Sequence, residues 1–207
     1  DLGDGQWKSR GSTDAWTAAY DSGGKLLWAH HLGDKAKDSG PILGRYKDHV
    51  IGVVSAQNSY KIGDLDVDLG TGGAGRVLFA LDSAGKLLWH AVDAKTQSAP
   101  VMVKQWGDSI AVSGSGSTVT KYSGTGEHKW LVSLHNELRF GGGLTIKGDS
   151  VVFFGTNQPN MKKPAFPRRI AIDADGKPGK SVLIGSGLGY ADHGHLRKAG
   201  DFLIGIR

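Results

Sequence analysis

The stretch WTAAYDSGGKLLWAHH (residues 16–31) returns as VLFALDSAGKLLWHAV (77–92), and more faintly as VTKYSGTGEHKWLVSL (119–134) and RIAIDADGKPGKSVLI (169–184). In the first copy Trp16, Ala18 and Tyr20 alternate into a turn of Asp, Ser and Gly, and Leu26 and Trp28 resume the alternation on the way out. This is the pattern of a β-hairpin whose turn residues tolerate positive φ. The turn glycines Gly24, Gly85, Gly126 and Gly176 lie 61, 41 and 50 residues apart. About 24 residues after each comes a second turn, in YKDHV, WGDSI, KGDSV and AGDFL, whose aspartates Asp48, Asp108, Asp149 and Asp201 are 60, 41 and 52 apart. Two independent markers moving in one register define a fourfold repeat, with units at about 1–56, 57–116, 117–158 and 159–207.

The second half of each unit reads as another hairpin. Ile42 and Leu43 lead to the YKD turn, and Val50, Ile51, Val53 and Val54 form a β-branched run suited to a strand buried on both faces. The later copies are PVMVKQWGDSIAVSG (100–114), GLTIKGDSVVFFG (143–155) and GHLRKAGDFLIG (194–205). Four strands per unit and no helical periodicity predict an all-β chain. Units of this length with four strands each predict a β-propeller of four-stranded antiparallel blades, one domain over residues 1–207. Asp1-Leu2-Gly3 repeats Asp68-Leu69-Gly70, so the two ends fall at adjacent points of the repeat, as a closing ring requires.

Composition narrows the class. Of 207 residues, 33 are glycine, well above the usual share of about 7%. They lack a three-residue period, so they mark tight turns rather than collagen. A hydrophobic share of 39% with 22% charged residues is that of a globular chain and not of a disordered one. The absence of cysteine excludes disulfides, thiolate metal sites and covalent haem. The longest apolar run, VVFFG (151–155), is far short of the roughly 18 residues that a spanning helix needs. A chain that starts at Asp1 without a signal-like stretch is expected to be processed or cut from something longer. The net charge of +5 permits attraction to phosphate- or carboxylate-rich partners.

With these residues in hand, the chain resembles the bacterial β-propeller repeat (SBBP) family, whose motifs have the form YDxxGNLLW. The matching segments are YDSGGKLLW (20–28), LDSAGKLLW (81–89), YSGTGEHKW (122–130) and the decayed IDADGKPGK (172–180). It is similar also to the pyrroloquinoline-quinone-type propeller repeat, AxDxxTGKxxW, although ALDSAGKLLW (80–89) is one residue shorter and Lys180 stands where that pattern has tryptophan. The first resemblance implies a propeller, secreted or attached to a bacterial surface. The second implies, as an alternative, part of a quinoprotein-like oxidoreductase.

Candidate sites fall on departures from the repeat. Trp28, Trp89 and Trp130 share one repeat position, which is expected of packing between blades. Trp106, beside the Gly107-Asp108 turn, is the tryptophan expected to be exposed and to stack on a sugar or aromatic ligand. Asp64, Asp66 and Asp68 alternate within GDLDVDLG (63–70) and would suit calcium if the segment is a loop, or share a solvated face if it is a strand. The segment NQPNMKKPAFPRRI (157–170) carries Lys162, Lys163, Arg168 and Arg169 with no acid and three prolines that limit its ordering entropy. DHGH (192–195) puts His193 and His195 two residues apart, a spacing that can serve a metal in a strand, with Asp192 as a third ligand. SGSGS (113–117) is not a nucleophile elbow, because no helix pattern follows it.

The reading is therefore a non-catalytic module at the bacterial surface that binds through its irregular insertions, residues 60–75 and 157–169. Lipopolysaccharide phosphates, nucleic acid or acidic polysaccharide would each satisfy the cations, with a surface glycan or protein preferred over nucleic acid. No cofactor is expected other than calcium. The alternative is a structural module of a filament or assembly, with self-association.

Overall fold

The computed structural model describes residues 14–33, 40–138, 140–157, 166–184, 195–199 and 202–206. Every element among them is a strand or a turn, so the chain is all-β, and its sheets are antiparallel blades of the propeller type. It divides into two compact units, residues 1–97 and 98–207.

The first unit contains β1 (Ala15–Tyr20), β2 (Leu26–Leu32), β3 (Ile42–Tyr46), β4 (His49–Gln57), β5 (Ser59–Ile62), β6 (Leu65–Asp68), β7 (Ala74–Leu81) and β8 (Leu87–Asp93). Its four-stranded ladder runs β3-β4-β7-β8. The long spacing between the first two repeats is explained by the β5–β6 hairpin, which is spliced between β4 and β7 and reaches the β1–β2 hairpin through Leu32↔Ile62. Asn58 holds the splice: at φ 60 its amide donates to Gly73 O, its carbonyl accepts from Leu69 N, and its side-chain oxygen accepts from Gly72 N. Asparagine tolerates this left-handed conformation better than most residues. Tyr60, Ile62 and Val67 of the spliced hairpin join Leu32, Val54, Val77 and Phe79 in one core.

The second unit contains β9 (Pro100–Trp106), β10 (Ser109–Gly114), β11 (Thr118–Ser123) and β12 (His128–Ser133) in one sheet. A second sheet holds β13 (Phe140–Lys147), β14 (Ser150–Asn157), β15 (Phe166–Ile172) and β16 (Val182–Leu183), and β17 (His195–Ala199) pairs with β18 (Phe202–Ile206). Val119, Leu134, Leu138, Leu144, Phe153 and Ile170 form its core.

Sheets and sequence repeats are offset by half a unit. Each complete four-stranded ladder joins the second hairpin of one repeat to the first hairpin of the next. The two turn types explain how. The second turn of each of the first three repeats is a two-residue loop closed by Tyr46↔His49, Trp106↔Ser109 and Lys147↔Ser150, with positive φ at its first residue: Lys47 (54°), Gly107 (55°) and Gly148 (56°). That is the geometry of a tight II′ hairpin. The first turn is longer, five residues between Tyr20↔Leu26, Leu81↔Leu87 and Tyr122↔His128, and the ladder shifts register beside it each time.

Candidate interaction site

The five-residue turn is built the same way in all four repeats. Asp21 N donates to Lys25 O at 2.9 Å, Asp82 N to Lys86 O at 3.0 Å, Ser123 N to Glu127 O at 2.8 Å and Asp173 N to Lys177 O at 3.1 Å. Asp82 Oδ1 then accepts the amides of Ala84 and Lys86, and Asp173 Oδ1 those of Asp175 and Lys177. In the third repeat Ser123 Oγ takes the place of the carboxylate. Asp and Ser are used here because a short side-chain acceptor can cap the backbone two residues on. The glycine that follows has φ between 80° and 84° in every copy, where a side chain is strained.

These turns receive the repeat tryptophans. Trp28 Nε1–H donates to Ser83 O at 3.0 Å, and Trp130 Nε1–H donates to Ala174 O at 3.1 Å. The rings lie against the turn glycines so closely that a Cβ on Gly85 would come within 2.5 Å of Trp28 Cγ, and one on Gly176 within 2.9 Å of Trp130 Cδ2. Ser83 and Ala174 occupy the same place in their turns, so one joint is made twice. His30 adds a hydrogen bond to Gly85 O, and Lys121 Nζ adds one of 3.0 Å to Ala174 O. The structural role expected of Trp28 and Trp130 therefore has a specific form, a half-buried ring docked on the turn of the following repeat.

Trp106 departs from expectation. It is 7% exposed, meets Trp130 edge-on with centroids 5.9 Å apart, and carries Lys121 Nζ 4.5 Å above its ring. Its place next to a turn suggested exposure, but Met102, four residues earlier on the same face of β9, packs into the same core. A ligand cannot stack on it in this conformation.

Residues 60–75 are mostly strand. Asp66 and Asp68 lie on β6, with Asp64 in the turn before it, and all three are exposed. Asp66 pairs with Lys61 at 3.2 Å, and Asp68 Oδ1 accepts the amide of Gly70. Among the described residues, no three His, Cys, Asp or Glu side chains gather as a metal-binding group. The solvated strand face, the second of the two readings of this segment, is the one observed.

The basic segment is partly ladder. β14 and β15 pair as far as Asn157↔Phe166, so Arg168 and Arg169 sit on a strand and point to opposite faces. Arg168 donates to Ser181 Oγ at 3.0 Å and is half-buried, whereas Arg169 is exposed across from Val182. Phe166, Val182 and Leu183 are exposed on the same edge. Lys162, Lys163, Asp192 and His193 lie outside the described residues.

Two buried polar arrangements were not legible in the sequence. His31 hydrogen-bonds Asp14 through Nε2 and stacks on Trp16 with centroids 4.2 Å apart, its side chain 6% exposed. Cross-strand register Trp16↔His31 is the signal that would have found it. Arg76 is fully buried opposite Asp93, and Asp93 is itself buried.

Among the described residues, no helix is long and apolar enough to cross a membrane. The chain is of the β-propeller-blade class. Searches against protein-family models and against curated proteins found no match.

Proposed function

We propose that this chain is a non-catalytic binding module, secreted or displayed on a bacterial surface, that holds a polyanionic ligand such as an acidic glycan at the outer end of the β14–β15 hairpin. The observation that carries the reading is the span 157–169, with four cations and no acid, joined to the paired end of β14 and β15. Arg169 is exposed there across from the exposed Val182, so a cation and an apolar side chain are offered together. Such a pairing suits a sugar ring that carries carboxylate or sulfate. Trp106, Asp64, Asp66 and Asp68 take no part in the proposed contact.

Heparin is the probe. Replacing Lys162, Lys163 and Arg169 with glutamine is expected to weaken heparin binding about tenfold or more, equivalent to ~1.4 kcal/mol. Affinity of the unaltered protein should fall as salt rises. Unchanged affinity in the triple variant, or no binding by the parent at low salt, rejects the reading.

A second reading, a structural module of a larger assembly, is favoured by the tryptophan joints, because among the described residues none covers the turn of the same build in the first repeat.

A further inference from the structure

We infer that β8 is a dimerisation edge, on which a second copy of this chain pairs antiparallel through its own β8, with a two-fold axis at His90. The inference goes beyond the polyanion reading and does not depend on it, since every residue it uses lies in the first compact unit and none in the span 157–169.

β8 ends its ladder. Among the described residues it pairs with β7 alone, from Arg76↔Asp93 to Leu81↔Leu87, so its other edge carries backbone N–H and C=O groups with no described strand opposite them. Along the strand Leu88, His90 and Val92 are exposed on one face, while Leu87, Trp89 and Ala91 on the other are half-buried. Leu88 and Val92 are each 42% exposed. The strand has no lysine, arginine or proline, and its one acid, Asp93, is buried at its end. Soluble proteins guard a sheet edge with charge, proline or a cover, because an apolar edge invites another strand. The corresponding strands of the other repeats are guarded. β12 exposes Lys129, ion-paired with Glu127 at 2.6 Å, β2 has its end paired to β5 through Leu32↔Ile62, and β16 is only two residues long.

The residue pattern names the occupant. An aliphatic side chain stands at equal distance on either side of His90, so the exposed face reads the same in both directions in size and polarity. A second β8 laid antiparallel with His90 opposite His90 sets Leu88 against Val92 of the other copy, and does so twice. A two-fold contact requires a surface complementary to itself. An uncharged strand meets that requirement, because no like charges face each other across the axis, and its apolar cross-strand pairs stabilise the new ladder. The ladder β3-β4-β7-β8 then runs on without a break into its counterpart in the second copy.

Sedimentation equilibrium of the whole chain should show a reversible dimer with a Kd on the order of 100 μM, the scale of a small transient contact. His90→Lys, at an exposed position, sets two ammonium groups against each other at the axis and should weaken the dimer about tenfold or more. Its circular dichroism spectrum and urea midpoint should match the parent's, which shows that the fold is intact. Because the chain has no cysteine, a single one reports the register. His90→Cys should give a disulfide-linked dimer under oxidised glutathione, since facing residues of an antiparallel pair have Cα atoms about 4.5–5.5 Å apart, within disulfide reach. Val92→Cys should not, because its counterpart in the second copy lies roughly 13 Å along the strand. A protein monomeric up to about 1 mM, a dimer that His90→Lys leaves at parental strength, or equal cross-linking by Val92→Cys overturns the inference. A monomeric protein that instead binds the peptide LLWHAVD would assign the edge to a strand of another polypeptide, and overturns it as well.

Discussion

Turns 82–85 and 21–24 share a sequence pattern, a hydrogen-bond scheme and a glycine φ, yet one is covered by an indole and the other, among the described residues, is covered by none. The turn closes its hairpin by local bonds alone. What sits on it depends on whether a neighbouring repeat brings a tryptophan, so one kind of turn is a packing joint in one place and a surface in another. Glycine is required twice over at 85, for its φ and for the closeness of Trp28, and once at 24, for φ alone.

The sharpest way to break this comparison is to add one methyl group to each turn. Gly85→Ala must bear left-handed strain and overlap with Trp28, and is expected to destabilise by about 3 kcal/mol. Gly24→Ala bears the strain only, about 1 kcal/mol. Urea denaturation of the two variants checks it, and equal losses would mean that Gly24 is also covered.

A smaller effect isolates the indole N–H. Trp28→Phe keeps an aromatic ring but leaves Ser83 O without its donor, and should cost about 1 kcal/mol. No comparable penalty is expected from changing Ser22 to alanine, since its turn needs only the backbone carbonyl. Equal stability of Trp28→Phe and the parent would reduce the joint to ring packing.

The smallest effect concerns the other turn type. Lys47 occupies at φ 54° the place that Gly107 and Gly148 hold in later repeats. Lys47→Gly is therefore expected to be stabilising by up to ~1 kcal/mol, because relief of left-handed strain outweighs the added freedom of the unfolded chain. A loss of stability on the same measurement would show that the Lys47 side chain, whose ammonium lies 5.3 Å from the Tyr46 ring centroid, contributes more than its strain costs.

Much of this architecture can be traced in the sequence. Alternation around each Asp-Gly turn is a local property, so the hairpins at 15–32, 74–93 and 118–133 follow from composition and spacing. The candidate site was legible only in part. GDLDVDLG reads equally as loop or strand, and pairing of Tyr60↔Val67 and Lys61↔Asp66 decides for strand. Trp106 beside a glycine turn reads as a surface residue, but the sheet face it shares with Met102 turns it into the core against Trp130. Arg168 and Arg169 read as one basic pair, and a strand divides them between two faces.

By itself, then, the sequence determined the all-β class, the repeat and the chemistry of its turns, because each depends on residues near one another along the chain. Only the tertiary structure decided that ladders combine halves of successive repeats, that Trp28 and Trp130 reach across 55 and 44 residues to the turns they cover, and that no described residue covers the turn at 21–24. Those outcomes depend on which faces meet, and pairing between distant segments is set by burial and register rather than by local pattern.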